Sequence, residues 1–186
     1  AETYALFYNK DIIPEDAVPK TFEELQTYAK ENTKGDQYGF LMDVGNAYYT
    51  ILFTTSSNNR LFGESGTDKA NTNINSEASV EGMKVFKNLR QAIDVPAADL
   101  TTAITDAAFA GGKAALYITG PWNVKPFQDA GLNFGVTTLP SLPGNDTPAA
   151  SFSGARGMFV SAYSKHPEEA AMFAKFLISK EMQQLR

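Results

Sequence analysis

An α/β layered domain is the fold this sequence predicts, and three observations lead to it. Apolar runs at residues 3–8, 38–42, 113–119, 134–138 and 158–162 have the length and composition of strands. Amphipathic segments of helical period stand between most of them. Gly and Pro breaks punctuate the junctions. Alternation of this kind predicts a layered sheet with helices on both faces.

Residues 3–8 (TYALFY) are the first strand, and residues 9–11 turn out of it. Pro14 and Pro19 bracket an acidic loop. Thr21, with Glu24 three residues on, predicts a capping box at the start of a helix whose apolar face is Phe22, Leu25 and Ala29 and whose end is marked by Gly35. The strand at 38–42 gives way to a polar break, Asp43-Val44-Gly45-Asn46. The run 47–55, with Tyr48, Tyr49, Ile51, Leu52 and Phe53, then predicts a mostly buried helix.

Residues 56–75 read as irregular surface. Ser76 or Ser79 caps a long helix reaching about Ile93; Met83, Val85, Phe86, Leu89, Ala92 and Ile93 form the arc expected of a sheet-covering helix. A short helix at 101–110 carries Ile104, Ala107 and Phe109 and ends at Gly111-Gly112. The strand at 113–119 should be buried. Gly120-Pro121 stops it and leaves Trp122, the only tryptophan, at the head of a short amphipathic run with Val124, Phe127 and Ala130. Pro167 suits the first turn of the last helix, where Ala170, Phe173, Phe176 and Leu177 make an apolar face.

The 186 residues make one ordinary domain or a little more, and 43% hydrophobic with 20% charged residues is a globular balance. With a net charge of −5 and scattered Lys and Arg, nucleic acid is not an expected partner. No apolar run approaches the roughly 20 residues that span a bilayer, and residues 1–9 read as strand rather than leader. The absence of cysteine excludes disulfides and thiolate chemistry. His166, the sole histidine, stands before Pro167, where capping or solvent-facing roles are common. Neither residues 63–69 nor Gly111-Gly112-Lys113 has phosphate-loop order, and both read as turns. No metal, cofactor or catalytic group is expected.

What remains is aromatic. Tyr48-Tyr49 sits at a loop-to-helix junction and Trp122 at a strand-to-helix junction, both near strand ends where α/β sheets place ligand clefts. Flat rings with hydrogen-bonding neighbours such as Asn46 suit the C–H faces and hydroxyls of sugars; the alternative for each ring is a core residue with its polar atom satisfied. An Asp/Glu pair for glycoside hydrolysis is the alternative from another class, since such pairs stand far apart in sequence.

Several blocks carry a resemblance. Residues 2–11 (ETYALFYNKD) with 19–25 (PKTFEEL), then 107–115 (AAFAGGKAA) through Gly120-Pro121-Trp122, then Phe134-Gly135-Val136 with Leu139-Pro140, occur in this order across nearly the whole chain. Together they resemble the family 1 extracellular solute-binding proteins, in particular the maltose/maltodextrin-binding group. The resemblance implies a periplasmic-binding-protein-like (type II) fold, two α/β lobes that close on a sugar by hinge motion. It implies a ligand site from Glu2, Asn46, Tyr48, Tyr49 and Trp122, with Glu2 as a hinge-side acid and Trp122 as the stacking ring. Asn46 and Ala47 depart from the Glu-Pro found in the maltose-binding members, which removes a charged contact. Arg156 is a cation where those members are apolar.

The same comparison implies that residues 1–153 form the C-terminal lobe, that residues 154–186 belong to the other lobe, and that the sequence is a piece of a longer chain. The implied partners are a neutral oligosaccharide and, through the intact protein, a membrane ABC permease. The implied location is extracellular or periplasmic, membrane-anchored in the full-length protein. The last helix is expected to fold back on this lobe or to dock on another copy, because burying each of Phe173, Phe176 and Leu177 is worth about 1.5–3 kcal/mol.

Overall fold

A computed structural model of the protein describes residues 2–185. Ala1 and Arg186, which the expected segments 1–153 and 154–186 include, lie outside the described residues. The chain divides into two compact units, Glu2–Ser153 and the segment from Gly154 onward.

The larger unit is built on a four-stranded mixed sheet in the order β2-β3-β1-β4. Its strands are β1 (Ala5–Asn9), β2 (Tyr38–Leu41), β3 (Ala114–Thr119) and β4 (Phe134–Thr137). β2 runs parallel to β3, and β1 runs antiparallel to both β3 and β4. All six residues of β3 are buried. Because successive side chains leave a strand on opposite sides, both faces of the sheet are covered there. On one face Phe7 and Tyr117, paired across β1 and β3, meet Phe127 and Phe109 from the helices that flank β3.

Helix α1 (Phe22–Asn32) opens on the expected capping box: Thr21 Oγ1 accepts the Glu24 N–H, and Glu24 returns the bond to the Thr21 N–H. Its buried face is Phe22, Leu25 and Ala29. It ends at Asn32, and Gly35 lies in the turn beyond.

The predicted helix over 47–55 is divided. Asn46 caps a single α-turn, α2 (Ala47–Thr50), and a 3₁₀ segment follows over Ile51–Asn58, kinked at Ser56 and Ser57, whose backbones are non-helical. Thr54 and Thr55 turn their hydroxyls back onto the Ile51 and Leu52 carbonyls, three residues earlier, an alternative to the α ladder. Helix α3 (Glu77–Ile93), capped by Ser76, packs chiefly on α1 and on this 3₁₀ segment and touches the sheet mainly at β2. The contact requires Gly82, where a Cβ would fall 1.6 Å from the Phe53 carbonyl oxygen. Of the expected arc, Leu89, Ala92 and Ile93 are buried and Val85 and Phe86 are half-buried against the core, whereas Met83 is exposed; Ser79 and Gly82 join the buried face.

Helix α4 (Thr102–Ala110) buries Thr105 and Phe109 while Ile104 and Ala107 face outward. A 3₁₀ turn at Pro121–Asn123 and helix α5 (Val124–Asp129), with Phe127 buried, complete the unit.

In the second unit, helices α6 (Pro167–Leu177) and α7 (Lys180–Leu185) form, with Pro167 in the first turn as expected. The strand predicted at 158–162 does not form; a strand needs a neighbouring backbone for its ladder, and the regular elements described in this unit are helices. Phe159 is 92% exposed, and no residue of α6 is buried. No helix among the described residues is long and apolar enough to cross a membrane.

Candidate functional site

The strand directions bring four pieces of chain to one rim of the sheet. Leu41, the last residue of β2, pairs with Tyr117 near the end of β3, so the loops after both strands leave on the same side. Ala5 at the start of β1 pairs with Thr119 at the end of β3, and Leu6 pairs with Thr137 at the end of β4. The residues before β1 and after β2, β3 and β4 therefore meet at this rim.

Five aromatic rings from those pieces form a continuous cluster centred on Tyr48. Its ring lies 5.1 Å from Tyr4 and 5.3 Å from Tyr49 in edge-to-face contact, 6.2 Å from Trp122 at a tilt of 52°, and 5.7 Å from Phe152 in near-parallel stacking at 24°. These separations suit favourable ring pairs. Tyr4 and Tyr49 form the buried floor, whereas Trp122 is 38% and Phe152 43% exposed. Tyr48 is half-buried between the two layers.

Trp122 is placed by the glycine two residues before it. A Cβ on Gly120 would sit 2.2 Å from the far edge of the indole, so the ring folds back onto the bare backbone. Glycine is needed here for close approach; its φ of −116° is open to other residues.

Two carboxylates tie the rim together. Asp43, in the loop after β2, accepts the Thr102 N–H at 2.9 Å and the Thr102 hydroxyl at 2.6 Å. It thus caps α4 from outside the helix, where Thr101 makes no side-chain cap of its own. Asp106, one turn further along α4, accepts the Tyr117 hydroxyl at 2.6 Å and the Asn123 amide at 2.5 Å. That amide also reaches Thr119 Oγ1 at 2.8 Å. The loop after β2, α4, the end of β3 and the Trp122 turn are joined by these bonds.

The candidate residues occupy distinct places. Glu2 is half-buried, and its charge adds to burial in raising the Tyr48 hydroxyl above the usual tyrosine range. Asn46 is exposed, with its Oδ1 accepting the Tyr48 N–H at 3.0 Å. Tyr48 and Trp122 present ring surface to solvent, while Tyr49 is only 3% exposed and supports Tyr48 from below. Tyr4, Phe152, Asp43 and Asp106 are participants that sequence reasoning missed. Tyr4 is hidden within a strand pattern, and Phe152 stands outside every periodic run and motif. No group of acidic or histidine side chains among the described residues is arranged to hold a metal ion.

Electrostatics favour neutral tyrosines in the floor. Burial pushes Tyr49 up to about 12 and raises Tyr4 and Tyr117 further. Burial also raises Asp106, against the Tyr117 and Asn123 bonds that lower it.

Two outcomes follow from this geometry. In Gly120→Ala the indole must move, and because its outer edge is what clashes, the fold itself loses little. Trp122 emission should shift to the red with a thermal midpoint nearly unchanged, and unaltered emission would contradict the packing. Second, folding favours the protonated phenols, so their stabilisation is complete below the ordinary tyrosine value of about 10 and is lost as pH rises through the folded values. Denaturation curves should therefore show stability falling from about pH 10 toward 12, with buried phenols ionising as the protein unfolds. Stability that stays flat over that window would refute the buried floor.

A family model for bacterial extracellular solute-binding proteins matches residues 1–186. The galactooligosaccharide-binding protein of Bacillus subtilis (strain 168) is 36% identical, with 100% of this chain and 45% of that protein covered. A maltooligosaccharide ABC transporter solute-binding lipoprotein of Streptococcus pneumoniae (strain ATCC BAA-255 / R6) is 30% identical, with 99% and 45% covered. The chain thus spans about half the length of the curated relatives it matches. Among solved structures, a cyclo/maltodextrin-binding protein complexed with maltotetraose superimposes with a TM-score of 0.81 at 37% identity, covering 99% of this chain and 48% of that one. The sheet and its flanking helices are accordingly periplasmic-binding-protein-like, and the chain belongs to the bacterial extracellular solute-binding protein family.

Proposed function

We propose that the aromatic rim is part of a binding site for a neutral oligosaccharide of the maltodextrin or galactooligosaccharide kind. The observation that carries this reading is the contact between Tyr48 and the half-exposed Trp122, a tilted pair of rings open to solvent at the sheet rim. Apolar ring faces suit the C–H faces of a pyranose, and the tips of Tyr48 and Trp122 offer hydrogen bonds to its hydroxyls. Asn46 and the Glu2 carboxylate supply further polar groups at the edge. Tyr49 acts from beneath by fixing Tyr48.

The binding is not followed by chemistry in this reading. The two carboxylates in the rim network, Asp43 and Asp106, are engaged in structural hydrogen bonds, and the relatives are named as binding proteins. The intact protein would serve as the substrate-binding component of an ABC import system, outside the cell and membrane-anchored, handing sugar to a permease. Glu2–Ser153 is read as one lobe, and the segment from Gly154 onward as belonging with the opposite lobe. Exposed apolar side chains such as Phe159 and Phe173 support that division and make self-association through this segment an accompanying expectation.

Part of a site should bind weakly. If an intact receptor holds its sugar at micromolar level, half of its contact free energy leaves about −4 kcal/mol, near millimolar. Titration of the 186-residue chain with maltotetraose and with a galactooligosaccharide, followed by NMR, should therefore shift Tyr48 and Trp122 resonances in the millimolar range. No change with either sugar at tens of millimolar would refute the proposal.

A further inference from the structure

Phe152 is left over by the sugar reading. It lies next to Ser153, at the end of its unit, yet its ring is ordered against Tyr48 with centroids 5.7 Å apart and planes within 24°. Two features hold it there. The preceding residue, Ser151, exchanges a hydrogen bond with Thr3 just before β1, and Tyr4 from that strand entry packs edge-on to the same Tyr48 ring. Even so, 43% of Phe152 stays exposed, slightly more than Trp122. A ring placed only to fill the core would be covered as Tyr4 and Tyr49 are.

Trp122 and Phe152 both adjoin Tyr48, at 6.2 and 5.7 Å. The exposed surface therefore carries three linked rings, each step about the spacing of one aromatic neighbour. A ligand one or two sugar units long covers only part of such a surface, whereas a longer chain reaches further across it.

We propose that Phe152 is a ligand-contacting residue that sets chain-length preference, favouring oligosaccharides over disaccharides. The inference rests on the sugar-binding reading above and adds to it a residue and a selectivity. Phe152 contacts the ligand directly with its own exposed face; it does not act solely by propping Tyr48. Its aromatic character is what matters, so tyrosine can replace it and leucine cannot.

The test compares maltose, maltotriose and maltotetraose binding to the 186-residue chain and to Phe152→Leu and Phe152→Tyr, by calorimetry. Loss of one ring contact should weaken maltotetraose binding by Phe152→Leu roughly three- to tenfold. The loss should shrink through maltotriose to less than about twofold for maltose, with Phe152→Tyr within about twofold of the unsubstituted chain throughout. Equal losses for all three sugars would reduce Phe152 to a prop for Tyr48 and overturn the proposal, as would no loss at all. Should Phe152→Leu fail to fold, NOEs on the unsubstituted chain decide. Cross-peaks from the Phe152 ring to maltotetraose are expected, and their absence while Tyr48 and Trp122 show them overturns the contact. If the unsubstituted chain binds none of the sugars, the sugar-binding reading falls and this inference with it.

Discussion

The parallel pairing of β2 with β3 is the constraint from which the rim follows. Two parallel neighbours must send the chain out at the same end of the sheet, and here that end receives Tyr48 from one loop and Trp122 from the other. The antiparallel strands β1 and β4 then bring Tyr4 in, and the chain beyond Thr137 out, at that same end. A ligand surface at the carboxyl ends of parallel strands is the usual arrangement of open α/β sheets. The addition in this protein is an antiparallel strand that enters where its neighbours leave, so residues far apart in sequence share one aromatic cluster.

Strand direction brings the rings near one another; local chemistry sets their contacts. The indole has its position because Gly120 has no side chain. The loop before Tyr48 is held through Asp43, which completes the first turn of α4, while Asp106 on the same helix ties the end of β3 to the Trp122 turn. Asp106 satisfies donors from β3 and from the Trp122 turn, and Asp43 satisfies both donors of Thr102, the kind of network by which polar groups specify one geometry rather than several. The result is a rigid floor of Tyr4 and Tyr49 under an open layer of Tyr48, Trp122 and Phe152.

Local periodicity and capping made much of the fold legible in the sequence. The capping box at Thr21, the fully buried run of β3 and its stop at Gly120-Pro121 are local signals, and each element formed where its signal stood. What escaped was tertiary. Apolar content over 47–55 could not reveal that most of the run takes 3₁₀ geometry, with the Thr54 and Thr55 hydroxyls on carbonyls three residues back and Gly82 set close against Phe53. The strand expected at 158–162 had strand composition without a partner in its unit. For the rim, Trp122 and the tyrosine pair stood out by residue type and by resemblance. Asp43, Asp106 and Phe152 did not, because their importance comes from neighbours 59, 17 and 104 residues away: Thr102, Asn123 and Tyr48.

The account depends on one packed yet solvent-facing layer of rings, and NMR of the unliganded chain reads it directly. NOEs from the Tyr48 ring to the Trp122 indole and to the Phe152 ring should appear together in the same sample, since centroid separations of 6.2 and 5.7 Å bring ring protons close. A Tyr48 ring that shows neither neighbour, and sees only Tyr4 and Tyr49, would contradict the shared surface on which the functional reading stands.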